Sequence, residues 1–229
     1  MNTGEQFLWL IFPYLVLTIL LVGLFYRFNT DQYGWTSKSS ELLEKRLLKW
    51  GSTLFHWGII CVFFGHVAGL LIPIGAYHTL GVSDELYHMG ALGGGGVAGI
   101  ATVIGVLILV YRRFSVSRIR MTSSTGDIVA LLLLTVVVLT GMLATTGNAL
   151  FEEFDYRTTI GPWIRGILTL TPDPSLMQHV PVGFKIHIVA AISLFAVFPF
   201  TRLVHIFSVP LTYLSRSYVV YRKRVPNSR

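Results

Sequence analysis

Charge is what this sequence has least of. Of its 229 residues only 13% are Asp, Glu, Lys or Arg, while 53% are hydrophobic, and the mean hydropathy is +0.64. An ordinary soluble domain carries about 25% charged residues. That scarcity excludes a soluble enzyme, a disordered tail and a nucleic-acid-binding module, despite a net charge of +7. Cysteine is scarce too. Cys61 is alone, which excludes a disulfide framework and a cysteine-ligated cluster built by this chain by itself. The alternation of polar and apolar residues that marks a membrane barrel is also missing. A helical integral membrane protein remains.

Long apolar runs supply the organisation. They cover about 7–26, 52–74, 90–111, 128–147 and 186–210, with Pro13 inside the first, Gly93 to Gly96 opening the third and Arg202 near the end of the fifth. Each is long enough to cross a hydrocarbon core about 30 Å thick at about 1.5 Å per residue. The first run has Glu5 and no Lys or Arg before it, so it reads as a retained helix and not as a cleaved signal peptide.

Basic residues set the direction. Arg27, Lys38, Lys45, Arg46 and Lys49 follow run one. Arg112, Arg113, Arg118 and Arg120 follow run three, and Arg216, Arg222, Lys223, Arg224 and Arg229 follow run five. The connection after run two has Asp84 and Glu85 and no cation. The one after run four has Glu152, Glu153, Asp155 and Asp173 against Arg157 and Arg165. The expected fold is therefore all-α: one membrane domain over 1–229, a five-transmembrane-helix bundle with its N-terminus outside and its C-terminus cytoplasmic. Residues 32–48 read equally as a cytoplasmic amphipathic helix or a solvated connector. The long connection from Asn148 to Gly183 is expected to pack over the outer face, and the basic tail to meet lipid headgroups or partners.

Seven histidines are present, and four fall within runs: His56 and His66 in run two, His187 and His205 in run five. Ionisable groups at membrane depth are costly and mark function. Runs two and five cross in opposite directions. His56 therefore meets His205 at the inner level, and His66 meets His187 at the outer one. Two imidazoles opposed across a gap are what a six-coordinate haem iron accepts, and bundle interiors are where such cofactors are held. With no C-x-x-C-H motif in the sequence, such a haem is b-type.

The spacing carries a tension. Ten residues separate the pair on run two, a rise of about 15 Å, and eighteen separate the pair on run five, about 27 Å. Pro199 is expected to bend run five and absorb part of the difference. Gly58, Gly65, Gly69, Gly93 to Gly96 and Gly99 either admit a flat macrocycle or pack helices closely. Arg202 and Arg112, with Arg113, are candidates for haem propionates or for headgroups.

These residues resemble the gamma subunit, the cytochrome b, of membrane-bound respiratory nitrate reductases. The resemblance runs through Leu54 to Leu70 (LFHWGIICVFFGHVAGL), Phe184 to His187 (FKIH) and Phe198 to Tyr213 (FPFTRLVHIFSVPLTY). Arg112 to Thr125 (RRFSVSRIRMTSST) and Gln32 to Ser40 (QYGWTSKSS) also match. It implies five helices and two bis-histidine haems b: His56 and His205 as ligands of the inner iron, His66 and His187 of the outer. It implies a quinol-oxidising subunit in a prokaryotic cytoplasmic membrane. That subunit takes electrons from menaquinol or ubiquinol near the outer haem and passes them to an iron–sulfur subunit and a molybdenum catalytic subunit on the cytoplasmic side. Quinol-site candidates are His66, Gly69, His88 and Glu85, with His78 and Asp84 nearby. The family's lysine in that loop is absent here, and His88 stands in its place.

Other readings stay open at this level. A sulfur-metabolising or heterodisulfide-type complex would use the same cytochrome with a different acceptor on another chain. A histidine-lined metal or proton transporter suits imidazole, but runs two and five hold no acidic residue in their apolar cores. A purely structural anchor leaves four histidines with no task.

Overall fold

A computed structural model describes residues 2–32, 34–35, 39–152 and 154–207. Lys38, Glu153 and the basic tail from Arg216 to Arg229 lie outside them, as does the expected end of run five at Pro210. Five helices are long and apolar enough to cross a membrane: α1 Thr3–Thr30, α2 Arg46–Leu71, α3 Asp84–Ser115, α4 Thr125–Phe151, and α5, whose α-helical part is Val182–Val197. Among the described residues there is no strand. Their outer faces are apolar and uncovered, with Phe25, Val97, Leu143 and Phe63 all more than half exposed. Such a surface calls for lipid.

Sequence punctuation explains the helix ends. Asn2 and Glu5 form a capping box on α1, and Ser124 and Asp127 form one on α4. Ser83 caps α3 by accepting from the Leu86 amide. Pro13 lacks an amide, so the Trp9 carbonyl one turn earlier loses its i+4 donor. The indole N–H of Trp163 supplies one at 2.8 Å. Pro73 likewise ends α2 behind a π-helical turn over Val67–Leu71. Two of that turn's carbonyls take side-chain donors: Tyr77 Oη to Ala68 at 2.8 Å and Arg165 Nη1 to Leu70 at 2.7 Å.

Helix α2 packs along α3, α4 along α5, α3 along α4, and α1 along α5. The α2–α3 contact is close because small residues face backbone. A Cβ on Gly105 would sit 2.4 Å from the Phe55 amide nitrogen, and one on Gly58 2.8 Å from that of Thr102. Helices α2 and α5 do not pack backbone against backbone. The long 148–183 connection folds onto one end of the bundle through the short helix Ile160–Leu168. There Ile160, Trp163, Ile167, Met177 and Val180 form a core with Trp9 and Ile188.

One expectation on helices is corrected and one open choice is decided. The fifth run is not one helix over 186–210. The α-helix stops at Val197, a 3-10 turn carries Phe198 to Phe200, Thr201 is extended (φ −130°, ψ 179°), and a second 3-10 turn covers Arg202–Phe207. Proline breaks the helix here, where a bend was expected. Of the two readings of residues 32–48, the described residues up to Lys45 match the connector, and α2 begins at Arg46.

Candidate functional site

The bundle has a basic end, formed by Arg27, Gly34, the segment 39–45, Arg112 and Thr201–Phe207, and an opposite end that holds Asp84, Asp155 and Arg157. Across the gap between α2 and α5 stand two histidine pairs. His56 and His205 lie toward the basic end with ring centres 6.4 Å apart; His66 and His187 lie toward the other with ring centres 6.1 Å apart.

Every one of the four rings is oriented through Nδ1 by a backbone carbonyl. Ser52 O lies 2.7 Å from His56 Nδ1 and Val62 O 2.8 Å from His66 Nδ1, each one turn earlier on α2. Arg202 O lies 2.6 Å from His205 Nδ1. For His187 the carbonyl is on another helix, Val137 of α4 at 3.1 Å, with Thr140 Oγ1 at 3.4 Å. A carbonyl can only accept, so each Nδ1 carries the hydrogen, and in a neutral imidazole the lone pair then lies on Nε2. Among the described residues no hydrogen bond reaches any of these Nε2 atoms. This backbone latch was missed in the sequence; the i−4 carbonyl of a helical residue is always there, but the rotamer that uses it is not written in the pattern.

Room for His187 comes from Gly141: a Cβ there would lie 2.8 Å from the ring's Cε1. Space is open beside Gly65 and Gly93 to Gly96, whose added Cβ atoms would meet no protein atom within 4 Å. Gly69 is different, because Tyr87 Oη and Tyr156 Cε2 already crowd it, at 2.7 Å and 3.0 Å from where its Cβ would be.

The polar cluster at the far end is built around a residue the sequence did not single out for a role. Arg157 is almost wholly buried. Its Nη2 donates to Asp155 at 2.9 Å and Asp84 at 3.1 Å and contacts His88 Nε2 at 3.3 Å, while the guanidinium lies 4.2 Å over the Tyr87 ring. Tyr87 and Tyr156 share a hydrogen bond of 3.1 Å. Burial pushes the Tyr156 hydroxyl above its ordinary value, so it stays protonated. His78 approaches Asp84 at 3.4 Å, and Glu85 is exposed on the first turn of α3. Arg157 sits in an irregular loop with no periodicity, and nothing local reveals that, besides Asp155, its partners Asp84 and His88 are about seventy residues away.

At the basic end, two of the arginines expected near propionates, Arg112 and Arg202, are joined to the protein's own carboxylates. Arg112 Nε lies 2.8 Å from Glu44 Oε2, and its other nitrogens donate to Ser40 Oγ, Ser40 O and Glu44 O. Arg202 Nε lies 2.7 Å from Asp127 Oδ1. Arg113 donates to Ser123 Oγ at 2.6 Å.

Comparison with known proteins agrees over the length of the chain. The family described as nitrate reductase gamma subunit matches residues 5–224. A nitrate reductase gamma chain of Bacillus subtilis is 58% identical over 219 residues, 96% of this chain and 98% of that one. The respiratory nitrate reductase 1 gamma chain of Escherichia coli is 34% identical over 223 residues, 96% of this chain and 98% of its own. The nitrate reductase-like protein NarX of Mycobacterium tuberculosis is 41% identical over 223 residues, but these span only 34% of that longer protein.

Proposed function

The chain belongs to the nitrate reductase gamma subunit family, and on that premise we propose that it is the quinol-oxidising, di-haem b subunit of a membrane-bound nitrate reductase. The observation that carries the haem reading is the spacing of the rings. A metal–imidazole bond of about 2 Å, plus about 1.1 Å from nitrogen to ring centre, puts two axial imidazoles about 6.2 Å apart centre to centre. The two pairs stand at 6.4 and 6.1 Å. Two further observations support it: the latched Nδ1 atoms, which leave Nε2 free of protein hydrogen bonds among the described residues at all four positions, and the separation of the α2 and α5 backbones. Among the described residues no group of three or more His, Cys, Asp or Glu side chains is placed to hold a metal ion. Two donors per level suit a macrocycle that brings its own four nitrogens, and fall short of a bare-ion cage.

A haem pair supplies one-electron steps to a donor that gives two. The protein's part is positional. His66 and His187 hold the level near the outer face, His56 and His205 the level near the cytoplasm, and the apolar walls of α2, α3 and α5 keep water from both. The quinol, menaquinol or ubiquinol, lies beside His66. Tyr87 and Tyr156 occupy the space at Gly69 and become part of that wall. His88 is engaged through Nε2 by Arg157, so the uncovered Glu85 carboxylate is the more accessible proton acceptor. The basic loops face the cytoplasm, where the iron–sulfur and molybdenum catalytic subunits receive the electrons.

The test is a reduced-minus-oxidised visible spectrum of the purified chain. A b-type α-band equivalent to two haems per chain is expected, and a featureless spectrum overturns the reading.

A further inference from the structure

Arg112 and Arg202 are paired with Glu44 and Asp127, and Arg113 is turned onto the Ser123 hydroxyl, so two carboxylates on the edge of a macrocycle held between His56 and His205 call for a further cation. One cation lies on the right face. Lys49 precedes His56 by seven residues on α2, about 20° away in azimuth and about 10 Å nearer the basic end. A long ammonium side chain and a carboxyethyl arm bridge that distance between them. Lys49 is exposed, and its ammonium has no ion pair or hydrogen bond among the described residues. Ser52, between them on the same face, is the residue whose carbonyl and hydroxyl meet His56 Nδ1 at 2.7 and 3.1 Å. A cavity of about 260 Å³ follows this face toward the basic end, lined by Glu41, Lys45, Leu48, Lys49, Ser52 and Thr53. Glu41 is 3.5 Å from Lys45, which leaves Lys49 as the cavity's uncompensated charge.

We propose that this cavity is the carboxylate site of the haem at the basic level, with Lys49 as its counter-ion; the proposal rests on the bis-histidine reading above. The physical reason is desolvation. A macrocycle with two carboxylates on one edge turns that edge out of the apolar span toward the nearest water. From His56 that direction runs down the face of α2 to Lys49. A positive charge there favours the reduced form, in which the haem carries one charge less.

The experiment is a potentiometric titration of the b-type absorbance in membranes carrying the whole complex. Lys49→Gln is expected to make one haem about tenfold harder to reduce, a fall of about 59 mV for a one-electron couple, and to leave the other unmoved. Lys49→Arg is expected to keep the parent value. Arg46→Gln removes the same charge from the same helix about 80° away in azimuth and is expected to shift neither haem. The proposal is overturned if Lys49→Gln leaves both potentials in place, or if Arg46→Gln moves one as far. Unchanged potentials with altered retention of anionic lipid would reassign the cavity to a lipid phosphate. Wild-type membranes without b-type absorbance overturn the histidine reading itself, and this proposal with it.

Discussion

The two histidine levels reach nearly the same ring separation by different means. At the level of His66 and His187 both residues stand on unbroken helix, so their facing follows from the register of α2 and α5. At the level of His56 and His205 one partner sits on a 3-10 turn beyond a broken helix, and its place is set by residues far away. Arg27 of α1 donates through Nη1 to the carbonyls of Pro199 and Thr201, at 2.7 and 2.8 Å, and through Nη2 to Gly34 at 2.8 Å. Asp127 of α4 holds Arg202 just past the break, and the Arg202 carbonyl in turn orients His205. Local periodicity secures one level; long-range hydrogen bonds secure the other. The break also resolves the spacing problem, since ten residues of continuous helix on α2 need not match eighteen on a segment that changes direction at Thr201.

The comparison is broken most severely by removing a ligand. His66→Ala or His187→Ala is expected to abolish one haem and quinol-driven reduction, with roughly half the b-type α-band left, while artificial donors that reach the partner subunits directly still drive nitrate reduction. His205→Ala is expected to remove the other half of the band. If a His66 variant keeps both haems, the assignment of levels is wrong.

Next in size are two substitutions that leave every proposed iron ligand in the sequence and are expected to act on opposite levels. Gly141→Ala drives a methyl into the His187 ring, an overpacking worth about 1–3 kcal/mol, and loosens only the His66 level. Arg27→Gln strips the charged donor from three carbonyls, a loss of about 1.5–3 kcal/mol, and loosens only the His205 level. Haem retention during thermal challenge, followed at each level by its low-spin ferric resonance, reads both. Equal damage to both levels by Arg27→Gln would show that the break is not held independently.

The smallest effect belongs to the connector at the basic end. Burial works to raise the Glu44 carboxyl, but the Leu47 amide, the Arg112 guanidinium and the Leu48 amide together hold it below its ordinary 4.5. A lowered carboxylate stabilises the fold fully above that ordinary value and ceases to do so as pH falls through the depressed one. Protease cleavage of the 39–45 segment is therefore expected to be slow and flat from neutral pH down to about 4.5 and to rise only below it. In Glu44→Gln, cleavage is expected to be faster at neutral pH and to lose that acid step.

Much of this was legible in the chain. Runs of twenty apolar residues can satisfy their backbone in lipid only as helices, so the five spans were fixed by composition and length. The antiparallel course of α2 and α5 follows from the two crossings, α3 and α4, between them, and it brings His56 to His205 and His66 to His187. The rest was hidden because it depends on which side chains meet across long separations. Pro13 announces a carbonyl without a donor but not that Trp163 will provide one. Arg112 and Arg202 look from the sequence like free cations, and only the packed chain joins them to Glu44 and Asp127.

By itself the sequence determined the class, the spans and the residues that face one another, because hydrophobic length and helical period are local properties. The tertiary structure alone decided where α5 breaks, how each ring is latched and which cations are already neutralised. Those outcomes turn on hydrogen bonds and ion pairs between residues up to about 170 positions apart, and no local pattern encodes such partners.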